Sequence, residues 1–313
     1  MSDGIILLDK KPGITSMASD NFIKKQLGTK KVGHSGTLDP FATGLLPIFA
    51  GKALKVMRYT DDYDKGYSCT CFLGKTTETL DTEGEVIGGR LPTEEELISL
   101  RSTGYKAVRD AFEQVAKTTS QIPPKYSAKK IDGKKAYELA RDGVEVKMKP
   151  HAIKIYSLDI TDIREGDGGI YVSFDVFCSK GTYIRTICGD VGDITGFGAH
   201  AVSLRRIKCG PFSIEDAVTE EEITRKRGEG DMSFILPYER ALSAMPRVDV
   251  TSREYEDIRV GKKIRAKEGT KEDIRYAAYY DGRLVAVIYK ATENGRELMR
   301  IERMLATDDR KDG

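Results

Sequence analysis

The sequence predicts an α+β fold with antiparallel strand pairing and a smaller β-rich module at its C-terminal end. Three observations carry this. Strands precede and interrupt helices without a regular strand–helix–strand rhythm, which disfavours a doubly wound parallel sheet. Two alternating stretches, 153–163 and 170–178, flank the turn-forming run REGDGG and suit antiparallel neighbours. Beyond a boundary near 242–246, short β-prone runs are punctuated by Asp281-Gly282 and Asn294-Gly295, both hairpin signals.

In chain order, Gly4 to Asp9 reads as a short buried strand and residues 11–16 as a turn. Thr15 and Ser16 are candidate helix caps. The helix carries Phe22, Ile23, Gln26 and Leu27 at helical spacing, and Gly28 stops it. A glycine-rich loop, GHSGTLDPFATGLLP, occupies 33–47. Next comes an alternating strand with Tyr67, Cys69, Cys71 and Leu73 on one side. Residues 93–100 and 107–115 read as helices, 121–125 break regular structure, and a short helix is expected around 134–141 between two glycines. Thr182 is the expected cap of a later helix whose apolar face is Ile184, Ile187, Cys188 and Val191, with Tyr183 and Arg185 pointing elsewhere. The tail, ATDDRKDG, is polar.

A chain of 313 residues accommodates two domains and a buried core. With 39% hydrophobic and 32% charged residues, it falls in the globular class, not the disordered or membrane-embedded one. Its longest apolar runs, such as 44–50, are too short to cross a bilayer, and no basic segment precedes the first apolar run. A cytoplasmic protein that touches no membrane is expected. Five cysteines without a C-x-x-C pair and three scattered histidines point to reduced thiols and no metal. The net charge of +2 hides a local excess: residues 117–154 hold ten Lys/Arg against four Asp/Glu, a local +6. That pattern fits a grip on a polyanion or a solvated surface loop.

Within the glycine-rich loop, Asp39 stands between Leu38 and Pro40 with only His34 as a titrating neighbour. Aspartate before proline is a favoured turn residue. Leu38 and Pro40 also restrict the conformations of Asp39, which suits a preorganised nucleophile. The loop alone leaves both readings open.

The segment GHSGTLDPFATGLLPI resembles the catalytic loop of the TruB family of tRNA pseudouridine synthases, and the likeness runs along the chain. GIILLDKKPGITS resembles that family's first strand and turn, and GYSCTCFLGKTTETLDTEGEV its tyrosine-bearing strand and following loop. QIPPKYSAKKIDGKKAYELARDGVEV is similar to the RNA-gripping thumb, CSKGTYIRTICGDVG to the arginine motif, and GAHAVSLRRIKCGPFSIEDAV to the closing strand. The C-terminal module resembles a PUA domain, a small RNA-binding barrel. Three positions depart from the family pattern: the proline of the 9–13 turn is displaced by one, Gly66 stands where a basic residue is common, and Ser35 replaces a usual threonine or glycine.

The resemblance implies a pseudouridine synthase fold, with a central mixed, mainly antiparallel sheet flanked by helices, plus a PUA-like β-barrel. It places a catalytic domain at 1–244 with the thumb near 118–150, the PUA-like domain at 245–307 and a flexible tail at 308–313. It implies isomerisation of uridine 55 in the T loop of tRNA to pseudouridine, without a cofactor. Asp39 is then the nucleophile, engaging a base turned out of its stack. Arg185 orients that carboxylate through its planar fork. Tyr67 stacks on the uracil, with a hydroxyl in reach of the C5 proton. Tyr183 and Leu204 wall the pocket, and His34 fills the gap the base leaves. Lys10, Lys129, Lys130, Lys134, Lys135 and Arg141 are the expected RNA-contacting cations. The expected partner is tRNA, held at its T arm and acceptor side by a monomer that needs no protein partner. A guide-RNA-type enzyme acting on ribosomal RNA and a non-catalytic RNA-folding module are the alternatives.

Overall fold

The computed structural model describes residues 3–124, 126, 130–131, 134–135 and 148–305, with the two short pairs as backbone only. The first strand, β1 (Gly4–Lys10), leads into α1 (Ser16–Leu27). The Thr15 side chain accepts from the Ala18 amide and Gly28 closes the helix at φ +64°, a left-handed position that costs glycine nothing. Then come β2 (Val32–His34), β3 (Thr43–Ala50) and β4 (Lys65–Leu73). Helices α2 (Glu94–Ser102) and α3 (Lys106–Ala116) follow, the first opened by a Thr93–Glu96 capping box. The hairpin β5 (Ile155–Gly166) and β6 (Gly169–Cys178) feeds α4 (Ile184–Thr195) and β7 (Ala199–Cys209).

These strands form one mixed sheet in the order β1–β3–β7–β4–β6–β5, parallel only where β7 meets β3. On β4 and β6 alternate side chains enter the core: Tyr67, Cys69 and Cys71 face Val172, Phe174 and Val176, under the α3 and α4 residues Phe112, Ile187 and Cys188. All five cysteines are buried and free.

The glycine-rich stretch is not a loop throughout. Residues from Thr43 onward form β3, buried on both faces, so its run Leu45 to Ala50 lacks the alternation that marks a one-sided strand. The cause is a second core. Ile6, Leu8, Leu46 and Ile48 face the helices, whereas Ile5, Leu7, Leu45 and Phe49 face a cluster holding Ala277, Leu284, Val287 and Leu305 from the C-terminal module. That module has strand β8 (Arg247–Asp249), helix Ser252–Arg259, β9 (Ile264–Arg265), β10 (Arg275–Tyr280), β11 (Arg283–Glu293) and β12 (Arg296–Met304). They form a curled five-stranded sheet in the order β8–β10–β11–β12–β9, consistent with a PUA-like domain.

Two local expectations change. Thr182 does not cap α4; its hydroxyl donates to the Ser179 carbonyl, and Tyr183 takes the N-cap position without a side-chain bond. Lys134–Lys135 pair as strand with Lys130–Ile131 instead of opening a helix, and the rest of that expected helix lies outside the described residues. Among the described residues no helix is long and apolar enough to cross a membrane.

Candidate active site

Three separate contacts fix the loop that carries Asp39. The Ser16 hydroxyl, at the start of α1, donates to the Leu38 carbonyl at 3.0 Å and accepts from the Leu38 amide at 2.9 Å. The Pro40 carbonyl accepts from the Gly13 amide at 2.9 Å and from Lys10 Nζ at 3.1 Å. The Ala42 amide donates to the Asp39 carbonyl at 3.1 Å, closing a turn around Pro40. The main chain of Asp39 therefore makes the turn, and its side chain is left for another task. The KKPGITS segment is the brace for this loop.

The Asp39 carboxylate meets Arg185, on the first turn of α4, with Nε to Oδ2 at 2.9 Å. Arg185 does not spend its whole fork on Asp39. Its Nη1 contacts Asp81 Oδ2 at 3.2 Å and donates to the Thr79 carbonyl at 2.6 Å, and its Nη2 donates to the Tyr126 carbonyl at 2.8 Å. One guanidinium thus joins the catalytic-loop candidate, the loop after β4 and the base of the 118–150 insertion. Asp81 is buried, and it also accepts from the Glu83 amide at 2.9 Å and from the Thr79 hydroxyl.

Asp39 remains 37% accessible from the cleft mouth but is otherwise ringed by protein. That burial raises its carboxyl above the ordinary range; Arg185 opposes the shift and the Asp81 charge reinforces it. Lys10 is fully buried, and burial lowers its ammonium to about 8 against the pull of Asp39 and Glu83. Its amine is turned inward, donating to the Lys11 and Pro40 carbonyls, so in this structure Lys10 braces the Asp39 loop.

The opposite wall is built from β4 and β7. Tyr67 and Leu204 both line the cleft, which has a volume of about 720 Å³ and also takes in Asp39, Arg185, Tyr183, Lys65 and Arg206. Burial drives the Tyr67 phenol up, only partly offset by Arg206, its cross-strand partner. Tyr67 is therefore held neutral and is a poor proton acceptor. The buried Gln121 grips the Tyr183 backbone, accepting from its amide at 2.8 Å and donating to its carbonyl at 3.1 Å. Gln121 belongs to a two-strand pair with His151–Ala152 that brings the ends of the basic insertion together beside the cleft.

His34 ends β2 just outside the cleft lining. Its Nδ1 lies 2.9 Å from buried Asp20 Oδ2, and its Nε2 lies 3.1 Å from the hydroxyl of Thr37, which does line the cleft. Side chains of Lys130, Lys134 and Lys135, and all of Lys129 and Arg141, lie outside the described residues. Sequence reasoning missed Asp81, one of several acids in TTETLDTEGE, and Arg206, the second of an adjacent arginine pair. Among the described residues no group of three or more His, Cys, Asp or Glu is arranged to hold a metal ion.

Known proteins share this architecture. The crystal structure of a Cbf5–Nop10–Gar1 complex superposes with a TM-score of 0.72 at 24% identity, covering 98% of this chain and 86% of that one. That of the archaeal box H/ACA sRNP Nop10–Cbf5 complex gives 0.69 at 23%, covering 98% and 88%. The fold is that of the pseudouridine synthases. Residues 24–184 match the N-terminal domain of TruB family pseudouridylate synthase, and 185–243 match the tRNA pseudouridylate synthase B C-terminal domain. The tRNA pseudouridine synthase B of Syntrophus aciditrophicus is 39% identical over 83% of this chain and 79% of its own length. That of Halalkalibacterium halodurans is 38% identical over 97% and 98%. The chain belongs to the TruB family, and it is an isomerase of uridine in tRNA.

Proposed function

We propose that the enzyme converts uridine 55 in the T loop of tRNA to pseudouridine, with Asp39 as the nucleophile. The observation that carries this reading is the Asp39–Arg185–Asp81 cluster, which presents one carboxylate to a cleft faced by Tyr67. The reaction detaches uracil at N1–C1′ and rejoins it at C5, so it needs an anion held in place but neither a redox cofactor nor an attacking water. Uridine in a folded loop must turn outward to reach that depth. Tyr67 then stacks on it, Leu204 and Tyr183 wall it, and His34, beside Thr37, fills the vacated space.

The insertion at 118–150, with most of the local +6, grips the T arm. The PUA-like domain, from about 245 to 307, takes the acceptor side. We place the enzyme in the cytoplasm as a monomer acting without a protein partner, with residues 1–244 as its catalytic domain. The test is incubation of the protein with a T-arm stem-loop, followed by mapping of pseudouridine. Modification at the position of uridine 55, lost on its replacement by cytidine, is expected. Modification elsewhere, or only with an added guide RNA, refutes the assignment.

A further inference from the structure

Arg206 stands in the cleft wall without an anion. Its side chain is 1% exposed, its Nε donates to the Leu45 carbonyl at 2.7 Å, and its Nη2 has no partner. Among the described residues no carboxylate forms an ion pair with it. A second cation converges on the same spot. A Cβ placed on Gly36 would lie 3.0 Å from Arg206 Nη1 and 3.4 Å from Lys65 Cε, so both side chains pack beneath the Asp39 loop. Lys65 Nζ donates only to the Tyr63 carbonyl among the contacts seen, at 2.8 Å. The guanidinium also lies against the Tyr67 hydroxyl, its partner across the β7–β4 ladder.

A strut for the Leu45 carbonyl needs one neutral donor. A buried guanidinium with an unused N–H, beside a half-buried ammonium, is costly, and the cost makes sense if an anion arrives during turnover. Resting on the Asp39 reading, we infer that Arg206, with Lys65 beside it, binds the negative charge that the uracil ring acquires when N1–C1′ breaks, donating through Nη2 to a ring carbonyl oxygen. The bond pair moves onto the ring, where N1, O2 and O4 share it, while Asp39 meets the electron deficiency at C1′. After rotation the same pair forms C5–C1′. The proton lost from C5 is balanced by one gained at N1, so no oxidant or second substrate enters. Donors fixed where charge develops are the strongest catalytic device a site of this kind has.

The experiment compares Arg206→Met and Arg206→Lys with the unmodified enzyme on T-arm hairpins carrying uridine or 5-fluorouridine, under single turnover. Fluorine withdraws charge, so the detached ring needs less help from the protein; a ring fluorinated at C5 has no proton to lose there, so the rate compared on the two hairpins is that of N1–C1′ cleavage. We expect Arg206→Met to slow the uridine hairpin about 10²-fold or more, as for loss of one oxyanion donor. The 5-fluorouridine hairpin should be slowed at least several-fold less, Arg206→Lys should fall between, and RNA affinity should stay within about twofold. Equal slowing on both hairpins, an unslowed rate, or lost affinity with a normal saturated rate overturns the inference. If Arg206→Met does not fold, the same comparison on Arg206→Lys decides. Asp39→Asn serves as the control: activity in that variant defeats the underlying reading, whereas an inactive Asp39→Asn with equal slowing defeats only the role of Arg206.

Discussion

The two walls of the cleft solve opposite electrostatic problems. On the α4 side one arginine, Arg185, is matched by two carboxylates and two carbonyls. On the β7 side Arg206 and Lys65 form no ion pair among the described residues: each donates to one carbonyl, of Leu45 and Tyr63, and Arg206 Nη2 has no partner. A saturated cation is a fixture that holds a chosen anion in one pose, and an unsaturated one is a vacancy for charge brought by the substrate. On the proposed reading the first wall serves the sugar end of the scissile bond and the second the base.

The comparison breaks most severely at Asp39. Replacing it with asparagine should reduce turnover by at least about 10⁴-fold while tRNA binding persists, as measured by pseudouridine release beside filter binding. Arg185→Lys comes next, at roughly 10²- to 10³-fold, because an ammonium cannot serve four acceptors in one plane. Intact thermal melting would distinguish lost chemistry from lost folding.

Asp81→Asn sharpens the picture through pH. On the proposed reading only ionised Asp39 attacks, so the rate should fall as pH drops through its pKa. Burial has raised that pKa above the ordinary ~3.9, and the Asp81 charge raises it further. Removing the charge should shift the acid limb of kcat/KM to lower pH, with a loss of about tenfold at neutrality from the loosened Arg185. An unmoved limb would detach Asp81 from the titration. Tyr67→Phe is the mildest: turnover within several-fold of normal is expected, since the phenol is held neutral, whereas a loss of 10² or more would restore it as the C5 base.

Much of this was legible beforehand, and the misses share a cause. Alternation gave β4 and β6 because each has one face in the core, and Thr15 and Gly28 marked α1 because capping is local chemistry. Strand β3 was hidden because a second core covers its far side, erasing the alternation and leaving glycine and proline as the visible signals. Asp39 and Arg185 stood out within their motifs, but their contact joins residues 146 positions apart in the chain, and no spacing rule reports the pairing. Lysine is ordinarily read as exposed, and only the fold shows the Lys10 amine turned onto the Pro40 carbonyl. Arg205 and Arg206 are neighbours in sequence with opposite fates: the first reaches Asp9 through two bonds at 2.9 and 2.6 Å, and the second is sealed inside.

The apolar seam where Ile5, Leu45 and Phe49 meet Leu284 and Val287 leaves no joint between the reactive body and its C-terminal companion. The pair therefore works as a fixed-jaw caliper. On the proposed placement, an RNA that touches both ends must already have the right length and bend, which would make discrimination among transcripts a matter of gauge before it is one of letters.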